Sequence, residues 1–164
     1  MNNEIKNKEE ILKELLLTEE DTLKKLRVLI DKTKTLVKID QKTKKIVISS
    51  GYNFSNPEKI LLLLIGRYFS KELGISNTEG IDIQELEEES GIIKTTLSKP
   101  LGGLLYSGYI GQDNEKRYFV HHYRIEEIVN LLHSKFIEKA PDAKGIQIKY
   151  KPSATGKKRG EKNE

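Results

Sequence analysis

GIIKTTLSKPLGGLLYSGYI, residues 91–110, is the stretch that decides how this chain folds. Leu97, Leu101 and Leu104 recur at intervals of four and three, which at ~100° per residue places them on one side of a helix. The spacing predicts a helix over about 94–107, opened after the turn at Gly91 and stopped by Gly108. The same rotation carries Thr95, Ser98, Lys99, Gly102 and Tyr106 to the opposite side, with Lys94 at the helix start. Pro100 interrupts the pattern, because proline lacks an N–H and crowds the preceding turn at a cost of ~3 kcal/mol inside a helix. Two outcomes follow: a kinked helix, or a first regular turn near Lys99 with Ser98 as its N-cap.

Downstream, Tyr109–Gly111 and Arg117–His122 read as two short strands around the turn DNEK, followed by a helix over Ile125–Ile137. Ile125, Ile128, Val129, Leu132 and Phe136 share one side of that helix. Upstream, Asp82 with Glu85 three residues later is a capping-box pattern for a short helix ending at Gly91. Before it, Asn56 as N-cap and Pro57 at the first helical position open a helix through Ile60, Leu64, Tyr68 and Leu73 to Gly74. GYNFSNP, residues 51–57, has the composition of a linker. Further back, LVKIDQKTKKIVI, residues 36–48, is a hairpin pattern with Asp40–Lys45 as its turn. Thr18 caps a second helix that runs to about Asp31 and buries Leu23, Leu26 and Ile30. Residues 5–17 form a first helix with Ile5, Ile11, Leu12, Leu15 and Leu16 about one turn apart. Beyond Ala140 only GIQIKY has strand character, and PSATGKKRGEKNE is a disordered basic tail by composition. The expected fold is α+β and mostly helical. Residues 1–50 make an N-terminal region, 51–55 a linker, 56–137 the main domain and 138–164 a basic tail.

Helix, short helix, helix, hairpin, helix over residues 56–137, with Gly91 at the turn, Thr95, Thr96 and Ser98 on the third helix, and Gly108 and Ile110 leading into the hairpin, resembles the winged helix-turn-helix DNA-binding superfamily. The resemblance implies that the helix at 94–107 docks in the major groove of double-stranded DNA and that the hairpin acts as a wing. It also implies a role in regulating transcription.

In that frame Lys94, Thr95, Ser98 and Lys99 are the groove-facing candidates, since ammonium and hydroxyl groups bind phosphates or base edges. The helix has no Arg, so the commonest guanine-reading contact is missing. Lys116 and Arg117 flank the wing turn beside Asp113 and Glu115, which oppose a phosphate contact there. Lys42, Lys44 and Lys45 in the first hairpin, and Lys157, Lys158 and Arg159 in the tail, are accessory phosphate candidates or ordinary solubilising charge. The acidic run ELEEES, residues 85–90, reads as a solvated helix face without convergent His. His121 and His122 point to opposite sides of a strand, which is poor geometry for a shared metal. No phosphate-binding Gly loop and no nucleophile–base arrangement is visible, so no catalytic residue, metal site or cofactor is expected. The rival to a DNA-binding regulator is a non-enzymatic interaction module, a structural subunit of a larger complex.

Composition agrees with a soluble chain. Of 164 residues, 36% are hydrophobic and 33% charged. The longest apolar run, Ile60 to Ile65, is far short of the ~18 residues of a membrane span. There is no Cys, which removes disulfides and thiolate chemistry. With no signal-like N-terminus, a cytoplasmic and, if DNA-bound, nucleoid-associated protein is expected, with no membrane partner and no evident small-molecule ligand. The net charge of +4 is uneven: residues 51–91 carry 3 basic and 8 acidic groups, whereas residues 144–164 carry 7 and 2. Such polarity suits a partner that is negative on one side. Ile128, Leu131 and Ile137 exceed what the last helix needs for its own core, and the N-terminal helices are rich in Leu, so a homodimer is expected.

Overall fold

Ser55 starts the helix around which the molecule is built. Its hydroxyl accepts the Glu58 N–H at 3.4 Å, and the Glu58 carboxylate accepts the Ser55 N–H at 2.9 Å. This reciprocal box moves the N-cap one residue upstream of the expected Asn56, because only Ser55 has a Glu three positions on. The helix, α3 (Asn56–Glu72), buries six consecutive residues from Ile60 to Ile65, and a helix apolar on every side belongs in the centre of a domain. The computed structural model describes residues 2–139, with side chains from residue 8 to 138.

The other elements are α1 (Asn2–Lys13), α2 (Glu19–Leu36), β1 (Val37–Ile39), β2 (Ile46–Ile48), α4 (Ile83–Ser90), α5 (Lys94–Tyr106), β3 (Ile110–Gln112), β4 (Tyr118–Val120) and α6 (Ile125–Lys139). The fold is α+β and mostly helical, with two antiparallel hairpins. In the first, Val37 pairs with Ile48 and Ile39 with Ile46, and Val37 and Ile46 face the core. This hairpin lies on α3 at Gly66, where a Cβ would stand 2.5 Å from Ile46 Cγ2. In the second, Ile110 pairs with Val120, both buried, and Ile81 bridges Tyr118 as a one-residue third strand.

The stretch 51–55, linker-like in composition, delivers Phe54 into the core with Tyr52 edge-on to it at 4.6 Å. One hydrophobic cluster runs from Leu36 through Leu132, so the first hairpin shares its core with α3 to α6. α2 packs along α6, where Lys32 Nζ donates to Asn130 Oδ1 at 2.8 Å.

The N-terminal region departs most from expectation. α1 stops at Lys13, four residues early, while Thr18 caps α2 as expected by accepting the Asp21 N–H. α2 continues past Asp31 to Leu36, because its buried seam is Leu29, Thr33 and Leu36 rather than the earlier apolar residues. Leu23, Leu26 and Ile30 are exposed, and every residue from 8 to 28 is exposed with them. The second half of α1 and the first half of α2 therefore stand clear of the core. Ile128, expected to be in excess on α6, is buried, and only Leu131 and Ile137 of that trio are exposed. The basic tail, including Lys157, Lys158 and Arg159, and the GIQIKY stretch lie outside the described residues.

Candidate nucleic-acid interface

The turn that precedes α5 is fixed by short polar side chains. Gly91 takes a left-handed conformation (φ 73°) that a Cβ-bearing residue adopts at a cost. Ser90 Oγ accepts the Ile92 N–H at 3.0 Å, and Ile92 is buried. Ile93 has no capping oxygen of its own, so Glu87 Oε2 reaches back from α4 to accept the Lys94 N–H at 2.6 Å. The helix therefore begins at Lys94 and not at Ser98, and it runs on through Pro100. The hydrogen bond that Pro100 cannot donate leaves the carbonyl of Thr96 without its helical partner, and Thr96 is exposed, where water can take that place.

Leu97, Leu101 and Leu104 are buried under α5 as their spacing predicts. Lys94, Thr95, Ser98, Lys99, Gly102 and Tyr106 are all exposed on its outer face. Nothing lies within 4 Å of a Cβ built on Gly102 or Gly103, so this face is open as well as polar. Lys94 and Ser98, and Thr95 and Lys99, are each four residues apart and so neighbours on the surface. The four groove-facing candidates come together on one helix face with no carboxylate of its own, capped at its N-terminal end by Glu87 of α4.

The two turns that carry the other basic candidates share a construction. In the first hairpin, Asp40 Oδ1 accepts the N–H groups of Lys42 at 2.8 Å and Thr43 at 3.0 Å. Those backbone donors hold the Asp40 carboxyl below its ordinary pKa. Lys44 sits at φ 61°, and Lys42, Lys44 and Lys45 are exposed. In the second, Asp113 Oδ1 accepts from Glu115 and Arg117, each at 2.9 Å, and Lys116 sits at φ 60°. Each turn thus folds over an aspartate and points a lysine outward from a left-handed position. Arg117 differs: its guanidinium is held by Glu115 of the same turn, and its stem lies over Gly80. It is a compensated cation, whereas Lys116 is exposed.

The acidic run is not simply a solvated face. Arg67 of α3, only 14% exposed, reaches Glu89 at 2.9 Å and Glu85 at 3.6 Å, tying α4 to the central helix. With Glu87 capping α5, three of these carboxylates have structural work. The imidazoles are separate: His121 stacks on Tyr123 and meets Phe119 edge-on, His122 Nε2 meets Glu79 at 2.7 Å, and His133 lies on α6. Among the described residues no group of three or more His, Cys, Asp or Glu is placed to hold a metal ion.

The aromatic outer face of the second hairpin went unread in the sequence. Phe119 and His121 lie across Gly111, where a Cβ would be 2.6 Å from Phe119 Cζ, and Arg124 covers the Tyr109 ring at 4.2 Å. The signal is the alternation Tyr109, Gly111 on one strand and Phe119, His121 on the other.

Among the described residues no helix is long and apolar enough to cross a membrane. Compared with protein-family models, curated proteins and solved structures, the chain matches none.

Proposed function

We propose that residues 56–137 are a winged helix-turn-helix domain that binds double-stranded DNA, and that the chain regulates transcription. On this reading α5 enters the major groove, and Lys116 with the lysines of the first hairpin turn rests on phosphate. The observation that carries it is the outer face of α5: two lysines and two hydroxyls, all exposed, with no acidic side chain and an open profile at Gly102 and Gly103. Without an Arg on α5, phosphate contacts outweigh base reading.

The test is fluorescence anisotropy with mixed genomic duplexes at two salt concentrations. Log K is expected to fall with log salt by ~0.9 for each phosphate contacted. Lys94→Ala and Lys99→Ala should weaken all sequences alike, while Thr95→Ala and Ser98→Ala should change which sequences are preferred. No affinity for any duplex at low salt refutes DNA binding. The interaction-module reading is favoured by the compensation of Arg117 by Glu115 and by the acidic helix α4 beside α5. It takes over if none of the four substitutions changes DNA binding while the fold stays intact.

A further inference from the structure

Residues 8–30, the end of α1, the turn after it and the first part of α2, form an arm that carries exposed apolar side chains. Leu15 is 82% exposed, Leu23 59%, Leu26 45% and Ile30 37%. A contiguous apolar surface of this kind is uncommon on a chain that works alone. Leu23, Leu26 and Ile30 are spaced three and four residues apart, and at ~100° per residue they form one line about a quarter turn from the buried seam of Leu29 and Leu36. That is the spacing of one heptad of a coiled-coil seam, and beyond it the chain passes into β1, whose first residue, Val37, is buried. The line leads into a groove of about 750 Å³ between α2, β1 and the end of α3, with Val37, Ile39, Phe69 and Leu73 in its walls.

Charge says what covers it. The first turn of α2 is acidic, with Glu19, Glu20 and Asp21, and its last turn is basic at Lys34. Glu20, Arg27 and Lys34, seven residues apart, form the charged row beside the apolar line; their ion pairs within α2, with Lys24 and Asp31, are exposed and weak enough to exchange for a partner. We propose that this arm is the interface for a second copy of the chain, α2 lying antiparallel to α2 of the second copy. With the two-fold axis level with position 28, Leu26 meets Ile30 of the second copy, and the flanking row, displaced by about one residue from that level, sets Glu20 near its Lys34 and Arg27 near its own counterpart. A parallel pair would set two acidic first turns side by side with their helix dipoles aligned, which is unfavourable. The antiparallel pair also fills the groove. Antiparallel packing carries the second copy's Leu15–Leu17, in the turn before its α2, toward the C-terminal end of α2, where the groove opens beside Val37 and Ile39. The proposal does not depend on DNA.

The experiment uses the full chain without DNA. Sedimentation equilibrium should show the wild type at twice 18.8 kDa at about 10 μM, in the ordinary micromolar range of such association. Leu26→Lys combined with Ile30→Lys should yield the monomer. Glu20→Lys and Lys34→Glu should each weaken the dimer, by roughly tenfold, and an equimolar mixture of the two should restore it, because each then finds its opposite. Since the chain has no Cys, Arg27→Cys should oxidise to a covalent dimer, whereas Val28→Cys, on the far side of the helix, should not. A wild type that stays monomeric at about 100 μM overturns the proposal and leaves the face to another protein. No restoration on mixing, or equal cross-linking at positions 27 and 28, also overturns it. The charge-swap arm decides the matter even if the double Lys variant loses its helix.

Discussion

Gly66→Ala sets helix propensity against packing at one atom. In an exposed helix interior, Ala is worth about 1 kcal/mol over Gly. Gly66 is buried in α3, and a Cβ there would stand 2.5 Å from Ile46 Cγ2 and 2.9 Å from Cδ1, closer than carbon atoms pack. Ile46 cannot simply turn aside, because it is β-branched, buried and paired with Ile39. Overpacking of this kind costs about 1–3 kcal/mol. The expected net effect is a loss of about 1 kcal/mol. In an Ile46→Ala background all three crowding atoms are gone, so the same Gly66→Ala change should stabilise by about 1 kcal/mol. The coupling of the two positions is then about 2 kcal/mol, well above the ~0.5 kcal/mol within which independent sites add. Urea unfolding of the four proteins, followed by circular dichroism, measures it. If Gly66→Ala stabilises the wild type, or acts alike in both backgrounds, the hairpin is not seated on α3 by this contact.

Arg67→Met removes the only cation placed between Glu85 and Glu89 among the described residues, and both carboxylates have an oxygen that is already buried without a hydrogen bond. Because Glu85 is 45% exposed, the loss should be about 2 kcal/mol rather than the 3–5 of a fully buried pair, and Glu89→Gln should recover part of it; an unchanged melting temperature refutes the link between α3 and α4. For pH, burial and then Lys32 hold the His133 pKa below its ordinary value, so the unfolded chain binds that proton first. Stability should fall as pH drops from about 6.5 through the folded value, and His133→Gln should flatten melting temperature against pH over that window.

Periodicity was legible where a helix meets one partner. Leu97, Leu101 and Leu104, and Ile125, Ile128, Val129 and Leu132, are buried as their spacing implies. It misled on α2, where Leu23, Leu26 and Ile30 form an equally good stripe that this chain's own core does not cover. A stripe marks a face suited to burial and does not say that the same chain does the burying. The N-cap at Ser55 could have been found from its Glu58 partner. The work of Arg67 and Glu87 could not, because both act between helices whose approach is set by tertiary packing.

Pro100 bears on α5 differently once the helix is known to begin at Lys94. Lys94, Thr95, Ser98 and Lys99 all precede the proline, so their relative placement is set by the first turns and by the Glu87 cap. Leu101 and Leu104 follow it and are anchored in the core. The recognition helices of helix-turn-helix domains meet base edges with their N-terminal residues. On the proposed function, then, any bend at Pro100 would tilt the contact face as a unit and leave its internal pattern intact. That separates two ways of losing binding. Removing the Glu87 carboxylate should fray the first turn and scatter all four side chains, whereas replacing Pro100 should change the helix angle and leave the pairs Lys94–Ser98 and Thr95–Lys99 aligned.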